Sequence, residues 1–316
     1  MADILVLEGV GGPAIDALER ELAVERAPTL SDAGRLDDVR ALIVRNATEV
    51  DRSALAALPA LEVVGRAGAG LDNVDVPAAE DQGVVVTYAP TENTEATAEH
   101  TLALALAVAH RVCELDAVVR AGGWERRPGA ELTGSVWGVV GLGRIGRRVA
   151  RLAAGIGMRV VAFDPAVDEA EARAAGTEPV ELAQLVAEAR VISLHVPLVP
   201  ATRHLVGAAE LAAMRPDAIL LNTARGGLLD EAALADVLTR GEIAGAGLDV
   251  REQEPPPAPD PLAALASVVL TPHVAGLSRE AQARVTETVA HDVRAVLEGR
   301  PPRNPAPASF RGAAGP

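Results

Sequence analysis

Three reactive side chains and one glycine turn carry the chemistry that this sequence can do. An apolar strand, Val136 to Val140, runs into Gly141, Gly143 and Gly146. The first glycine allows the tight turn, the second lets the backbone approach a pyrophosphate, and the third lets the following helix pack closely on the strand. The start of that helix offers the N–H groups of Arg144 and Ile145, with a positive dipole end, to an anion. A second apolar strand, Met158 to Phe163, ends in Asp164. The acid falls about twenty residues past the glycines, where a carboxylate can accept both ribose hydroxyls of an adenosine. It would repel a 2′-phosphate, and no arginine follows until Arg173, so the pattern points to NAD rather than NADP.

The reactive side chains lie in three later loops. Arg225 is in NTARGGLLDE (222–231), Glu254 in LDVREQEPP (248–256) and His273 in LTPHVAG (270–276). An arginine can grip a carboxylate bidentately and polarise a carbonyl. A histidine can take a hydroxyl proton as hydride leaves the adjoining carbon. A carboxylate beside it favours the imidazolium and fixes the ring. Together these types suffice for hydride transfer at a hydroxy acid. Singly, Arg225 and Glu254 read as ordinary solvated loop residues.

Strands must position these groups. Short apolar runs at 3–7 (DILVL), 41–44 (ALIV), 62–66 (EVVGR) and 84–87 (VVVT) recur in the first hundred residues. Between them come AVERA, the segment 31–39, and helical patterns at Pro13 to Leu22, Asp51 to Leu58 and Val74 to Gln82. Such alternation predicts a parallel sheet covered on both faces. After the glycine turn come RVISL (190–194), AILL (218–221), AGAGL (244–248) and SVVL (267–270). The three reactive loops would then follow the carboxyl ends of strands, where open parallel sheets bind ligands. Asn93 to Arg120 reads as one long helix, apolar on every face around TLALALAVA, and so expected to be buried between domains or subunits. EPPPAPDP (254–261) reads as a proline-rich loop. A last helix, Ser278 to Leu297, is expected to cross back onto the first domain, leaving a substrate cleft between the two, and the tail from Arg300 to be partly disordered.

At 316 residues there is room for two domains with sizeable cores. A net charge of −15 argues against a nucleic-acid surface or a polybasic membrane patch, so local arginines must hold any anionic substrate. The absence of lysine removes Schiff-base chemistry and a P-loop lysine together. Cys113 is alone, and no Cys/His group has metal-ligand spacing, so no metal is expected. MADILVLEGV lacks a basic residue before its apolar run, unlike a signal peptide, and no stretch reaches the roughly 18 apolar residues of a membrane span. The expected location is the cytoplasm.

The glycine turn with Asp164, the NTARG loop, the Glu254-Pro255 step and the Pro272-His273 step occur in one order. In that order the chain resembles the D-isomer-specific 2-hydroxyacid dehydrogenase family over nearly its whole length. The resemblance implies two doubly wound α/β domains: a Rossmann NAD-binding domain, residues 98–287, inserted in a flavodoxin-like substrate domain, residues 1–97 and 288–316. It implies that Arg225 binds substrate, that His273 is the acid/base and that Glu254 is its partner. It implies cofactor contacts from Gly141, Gly143, Arg144, Ile145, Gly146, Asp164, Val196, Thr223, Ala224, Asp249, Ala275 and Gly276, with Asp249 facing the nicotinamide amide. A homodimer through the 93–120 helix is implied as well.

Within the family, RNATEV (45–50), GRAGAGLDNVD (65–75), APTENTEATAEH (89–100) and GGWER (122–126) look like the phosphoglycerate dehydrogenases. That likeness implies substrate contacts from Arg45, Asn46, Ala69, Gly70 and Arg126. Extra arginines suit a substrate with both a carboxylate and a phosphate. The implied reaction is NAD-dependent oxidation of 3-phospho-D-glycerate to 3-phosphooxypyruvate, the entry step of serine synthesis. Two other readings stay open: another small D-2-hydroxy acid of the glycerate, glyoxylate or hydroxypyruvate type, and a non-catalytic module that senses a dinucleotide. Two departures bear on substrate preference. Arg251 stands where an aromatic residue is common, and Val274-Ala275-Gly276 reverses the usual small-residue order. The chain ends soon after its last helix, so the regulatory domains of longer relatives, and serine feedback of that type, are not expected.

Overall fold

The computed structural model describes residues 3–307. The chain divides into two compact units, one of Met1–Asn93 with Gly276–Pro316 and the other of Thr94–Ala275. The boundaries differ from those the sequence suggests, 97/98 and 287/288, and the packing of two helices explains why.

The first unit begins with β1 (Ile4–Val6), α1 (Pro13–Glu19), β2 (Val24–Arg26), β3 (Ala41–Val44), α2 (Arg52–Ala56), β4 (Val63–Arg66), α3 (Val76–Asp81) and β5 (Val85–Tyr88). All pairings are parallel, in the order β2-β1-β3-β4-β5. That is the flavodoxin-like order. Side chains alternate across the sheet, as the period of a strand requires. Leu5, Leu42, Val44, Val64 and Val86 face Leu55 and Leu58 on one side. Ile4, Val6, Ala41, Ile43 and Val63 face Ile15, Leu18, Val285, Val289 and Val293 on the other. The segment 31–39 forms only a 3₁₀ turn, Leu30–Asp32.

The second unit holds α4 (Thr94–Ala109), α5 (Val112–Arg120), β6 (Val136–Val140), α6 (Arg144–Gly155), β7 (Arg159–Phe163), α7 (Glu169–Ala174) and β8 (Glu178–Pro179). It continues with α8 (Leu182–Glu188), β9 (Val191–Leu194), α9 (Ala208–Ala213), β10 (Ile219–Asn222), α10 (Glu231–Thr239), β11 (Gly245–Leu248) and β12 (Val268–Leu270). The sheet is parallel throughout, ordered β12-β11-β10-β9-β6-β7-β8. The chain reverses its direction of sheet growth between β6 and β9, the switch point of a Rossmann sheet.

Residues 93–120 form two helices rather than one. Arg111 has φ 55, in the left-handed region, and separates α4 from α5. The Ala130 N–H takes the Ala109 carbonyl at 2.8 Å, and a Cβ on Gly129 would lie 2.8 Å from the His110 Cα. The returning 129–130 segment thus stops α4. One face of this helix packs on its own sheet: Leu104 and Val108 lie over glycines of β11, where added Cβ atoms would come within 2.9 Å at Gly247 and 2.7 Å at Gly245. The AGAGL strand is small because a helix sits directly on it.

The last helix, α11 (Arg279–Leu297), belongs wholly to the first unit. A Cβ on Gly65 of β4 would meet the Val289 and Val293 side chains at 2.7 Å each. The segment after it is ordered as far as it is described. Ala306 N–H donates to Val86 O at 2.8 Å, and Pro305 bridges Thr87. The fully buried Asp292 anchors this segment through the Arg303 and Asn304 N–H groups, both at 2.9 Å, and accepts from Thr87 Oγ1 at 3.1 Å. The rest of the expected disordered tail lies outside the described residues.

Candidate active site

The glycine turn has the shape that a dinucleotide needs. Gly141 adopts φ +95, and a Cβ there would lie 2.7 Å from the His195 backbone and 2.8 Å from Val196 Cγ1. At Gly146 a Cβ would lie 1.9 Å from the Gly141 carbonyl oxygen, so only glycine lets α6 start this close to β6. A Cβ on Gly143 would meet nothing within 4 Å. The first and third glycines are therefore required by the protein itself. The second leaves open space before the N-terminus of α6, where a pyrophosphate could seat. Asp164 sits at the end of β7, beside the turn. Its Oδ2 accepts the Leu142 N–H at 2.7 Å, which holds the carboxylate at the turn. Arg144 and Ile145 open α6. These residues fit a dinucleotide.

The three reactive loops follow β10, β11 and β12. Arg225 extends from the end of β10; Asn222 Nδ2 holds its carbonyl at 2.8 Å, and its Nη1 donates to Ala224 O at 2.6 Å. Glu254 Oε2 lies 2.7 Å from His273 Nδ1, and Oε1 accepts the Arg251 N–H at 3.0 Å. Burial pushes the Glu254 carboxyl up. The His273 contact, the Arg251 N–H and the charges of His273 and Arg225 outweigh burial and hold it below the usual carboxylate range. An ionised carboxylate only accepts, so Nδ1–H donates and Nε2 is left to exchange a proton. Both side chains are about one-third exposed, 35% for His273 and 37% for Glu254, so Nε2 is within reach of a ligand.

Asp249, fully buried at the end of β11, shapes the histidine loop. Its Oδ1 accepts from Thr271 Oγ1 at 2.6 Å and Val274 N–H at 2.9 Å, and its Oδ2 accepts from Ala275 N–H at 2.8 Å. Its carbonyl takes the His273 N–H at 2.7 Å, while His273 itself has φ 53. The residue expected to face a nicotinamide amide is thus also the anchor of the loop. From α4, His100 Nε2 lies 3.0 Å from Thr271 Oγ1, and Thr101 Oγ1 lies 2.9 Å from Thr223 Oγ1. Sequence reasoning missed His100 and Thr101. Their signal was polarity on an otherwise apolar helix face.

In the first unit, Arg45 and Asn46 follow β3, and Ala69 and Gly70 follow β4, the adjacent strand. Arg45 is half-buried: Nη2 donates to Gln282 Oε1 at 2.5 Å, while Nε is buried without a hydrogen-bond partner. A buried guanidinium N–H without an acceptor is a feature an anion would satisfy. Glu8, also missed, holds this loop by accepting the N–H groups of Arg45 at 3.1 Å, Ala47 at 2.9 Å and Thr48 at 2.9 Å. Gly276 lies against Asn93. Arg126 is solvent-exposed on the irregular segment between α5 and β6.

Arg251 does not project as a free cation. Its guanidinium is paired with Glu231 at 2.9 Å and Asp260 at 2.7 Å. Among the described residues, no group of three or more His, Cys, Asp or Glu could hold a metal ion, and no helix is long and apolar enough to cross a membrane.

Residues 102–275 match the model for "D-isomer specific 2-hydroxyacid dehydrogenase, NAD binding domain". A D-3-phosphoglycerate dehydrogenase from Archaeoglobus fulgidus is 41% identical over 307 residues, covering 95% of this chain and 58% of the relative. A glyoxylate reductase from Korarchaeum cryptofilum is 42% identical over 276 residues, covering 85% of this chain and 83% of the relative. The crystal structure of a protein from Thermus thermophilus superposes with a TM-score of 0.89 at 41% identity, over 96% of this chain and 99% of that one. The chain spans about half the length of the curated phosphoglycerate dehydrogenases it matches.

Proposed function

This chain belongs to the D-isomer specific 2-hydroxyacid dehydrogenase family, and we propose that it oxidises 3-phospho-D-glycerate to 3-phosphooxypyruvate with NAD. The observation that carries the chemistry is the 2.7 Å contact between Glu254 Oε2 and His273 Nδ1, with Arg225 charged nearby. Bound NAD supplies the hydride acceptor. The residues of the chain do the rest. Arg225 binds the substrate carboxylate and polarises the C2 oxygen. His273 Nε2 takes the C2 hydroxyl proton, and the Glu254 carboxylate stabilises the imidazolium that forms. The turn at Gly141–Gly146 and Asp164 hold the dinucleotide, with Val196, Thr223, Ala224, Asp249, Ala275 and Gly276 assigned as further cofactor contacts and Asp249 as the one that faces the nicotinamide amide. Asp164 favours NAD by repelling a 2′-phosphate.

The phosphorylated substrate is favoured by the phosphoglycerate dehydrogenase names of several relatives and by Arg45, whose Nε lacks an acceptor. Arg45, Asn46, Ala69, Gly70 and Arg126 are assigned to its binding. A glyoxylate reductase matched over 83% of its length favours a second reading, an unphosphorylated D-2-hydroxy acid. Initial rates with 3-phosphoglycerate against glycerate, glycolate and lactate separate the two. We also infer a homodimer, since Val112, Val119 and Trp124 are exposed at 53%, 49% and 78%. Sedimentation at a monomer mass would reject it.

A further inference from the structure

The family position at which an aromatic residue is common holds Arg251 here, and the surrounding contacts give that arginine a task. Its guanidinium is gripped from two sides. Asp260 takes Nη1 at 2.7 Å and Nη2 at 3.0 Å. Glu231, the first residue of α10, takes Nε at 3.1 Å and Nη2 at 2.9 Å, and also accepts the Glu252 N–H at 2.7 Å. Two bidentate carboxylates on one largely buried guanidinium fix both its plane and its position. The fixed backbone has two functional neighbours. The Arg251 N–H donates to Glu254 Oε1 at 3.0 Å. On the side of the Arg225 loop, a Cβ on Gly226 would lie 1.9 Å from the Arg251 carbonyl carbon, so that loop rests directly on the 251–252 peptide.

We propose that Arg251, clamped by Glu231 and Asp260, is a positioning residue that aims the Glu254 carboxylate at His273. The proposal rests on the dehydrogenase reading above. Glu254 has two oxygens, one on His273 Nδ1 and the other on the Arg251 N–H, so its orientation is only as fixed as that peptide. Glu254 is followed closely by prolines at positions 255, 256, 257 and 259, so backbone N–H groups that could hold it otherwise are scarce.

The test is a double-mutant cycle on the full chain with NAD, using Arg251→Met, Glu254→Gln and the pair. The expected result is a fall in kcat of about tenfold or more for each single variant, with KM for NAD unchanged. The pair should be no slower than Glu254→Gln by more than about twofold, because Arg251 acts through Glu254. Wild-type kcat in Arg251→Met, or losses that multiply in the pair, would overturn the proposal. Hydrogen exchange gives a readout independent of turnover: the amides of 251–254 should exchange faster in Arg251→Met, and unchanged protection would also overturn it. If the wild-type protein turns over no hydroxy acid, the dehydrogenase reading fails while the exchange result still reports on the clamp. Should Arg251→Met not fold, Asp260→Asn removes half of the clamp and is read by the same measurements.

Discussion

Glu254 and His273 stand 19 residues apart on loops that follow adjacent strands, and their side chains meet at 2.7 Å. The contact gives the imidazole one tautomer and one free nitrogen. Glu254 is held below its ordinary value of 4.5, so the pair is intact at neutral pH and the stability it contributes is present above that value. That contribution is lost as pH falls through the lowered folded-state value. Denaturant unfolding of wild type and Glu254→Gln between pH 7 and pH 3 should show a stability difference that shrinks below about pH 4.5. A difference that stays constant over that range would mean the carboxylate is not held in its charged form.

The glycine turn makes two opposite predictions. Gly146→Ala forces a Cβ to 1.9 Å from the Gly141 oxygen and should destabilise the second unit by roughly 1–3 kcal/mol or more. Gly143→Ala meets nothing within 4 Å, so its melting temperature should match wild type while NAD affinity drops at least tenfold. Thermal melts with NAD titration separate the cases. Normal NAD affinity in Gly143→Ala would mean that the open space there is not the pyrophosphate seat.

Asp164 should set the choice of cofactor. Its replacement by serine removes the charge that would repel a 2′-phosphate and one acceptor of the ribose hydroxyls. The Asp164→Ser variant should bind NAD more weakly and NADP more strongly, compressing the NAD/NADP affinity ratio by tenfold or more in fluorescence titrations. An unchanged ratio would remove Asp164 from the discrimination.

Asp292 accounts for the order of the segment beyond the last helix. Burial pushes its carboxyl up, but hydrogen bonds from Arg303, His291, Asn304 and Thr87 prevail and hold it below 3.8. Asp292→Asn should cost about 2 kcal/mol at pH 7, with the deficit narrowing below pH 4 as the wild-type carboxylate protonates. The amides of Arg303, Asn304 and Ala306 should exchange faster in the variant. Wild-type protection there would assign the order to some other contact.

Much of this was legible in the sequence. Strand positions, the glycine turn and the three reactive residues stand out because each has a local signature: an apolar run, a spacing, or a reactive side chain just past a strand. What escaped has its cause outside the segment concerned. Nothing local to Asn93 to Arg120 announces that residues 129–130 will cap Ala109 and split the helix. The buried carboxylate that orders the tail stands on α11, more than ten residues before Arg303. Glu8 looks like a surface glutamate until the loop at 45–48 folds around it. His100 and Thr101 gain meaning only when α4 is laid against β11 and the loops above it. Arg251 stands out in the sequence only as a departure from the family pattern, because its partners, Glu231 and Asp260, lie 20 and 9 residues away.

The most direct measurement of the central claim is NADH formation on mixing NAD with 3-phosphoglycerate and with unphosphorylated D-2-hydroxy acids, for wild type and His273→Ala. Turnover by wild type that falls by about a hundredfold or more in His273→Ala, with NAD binding retained, is the predicted result. Near-wild-type turnover in His273→Ala, or no turnover of any hydroxy acid by the wild-type protein, would contradict it.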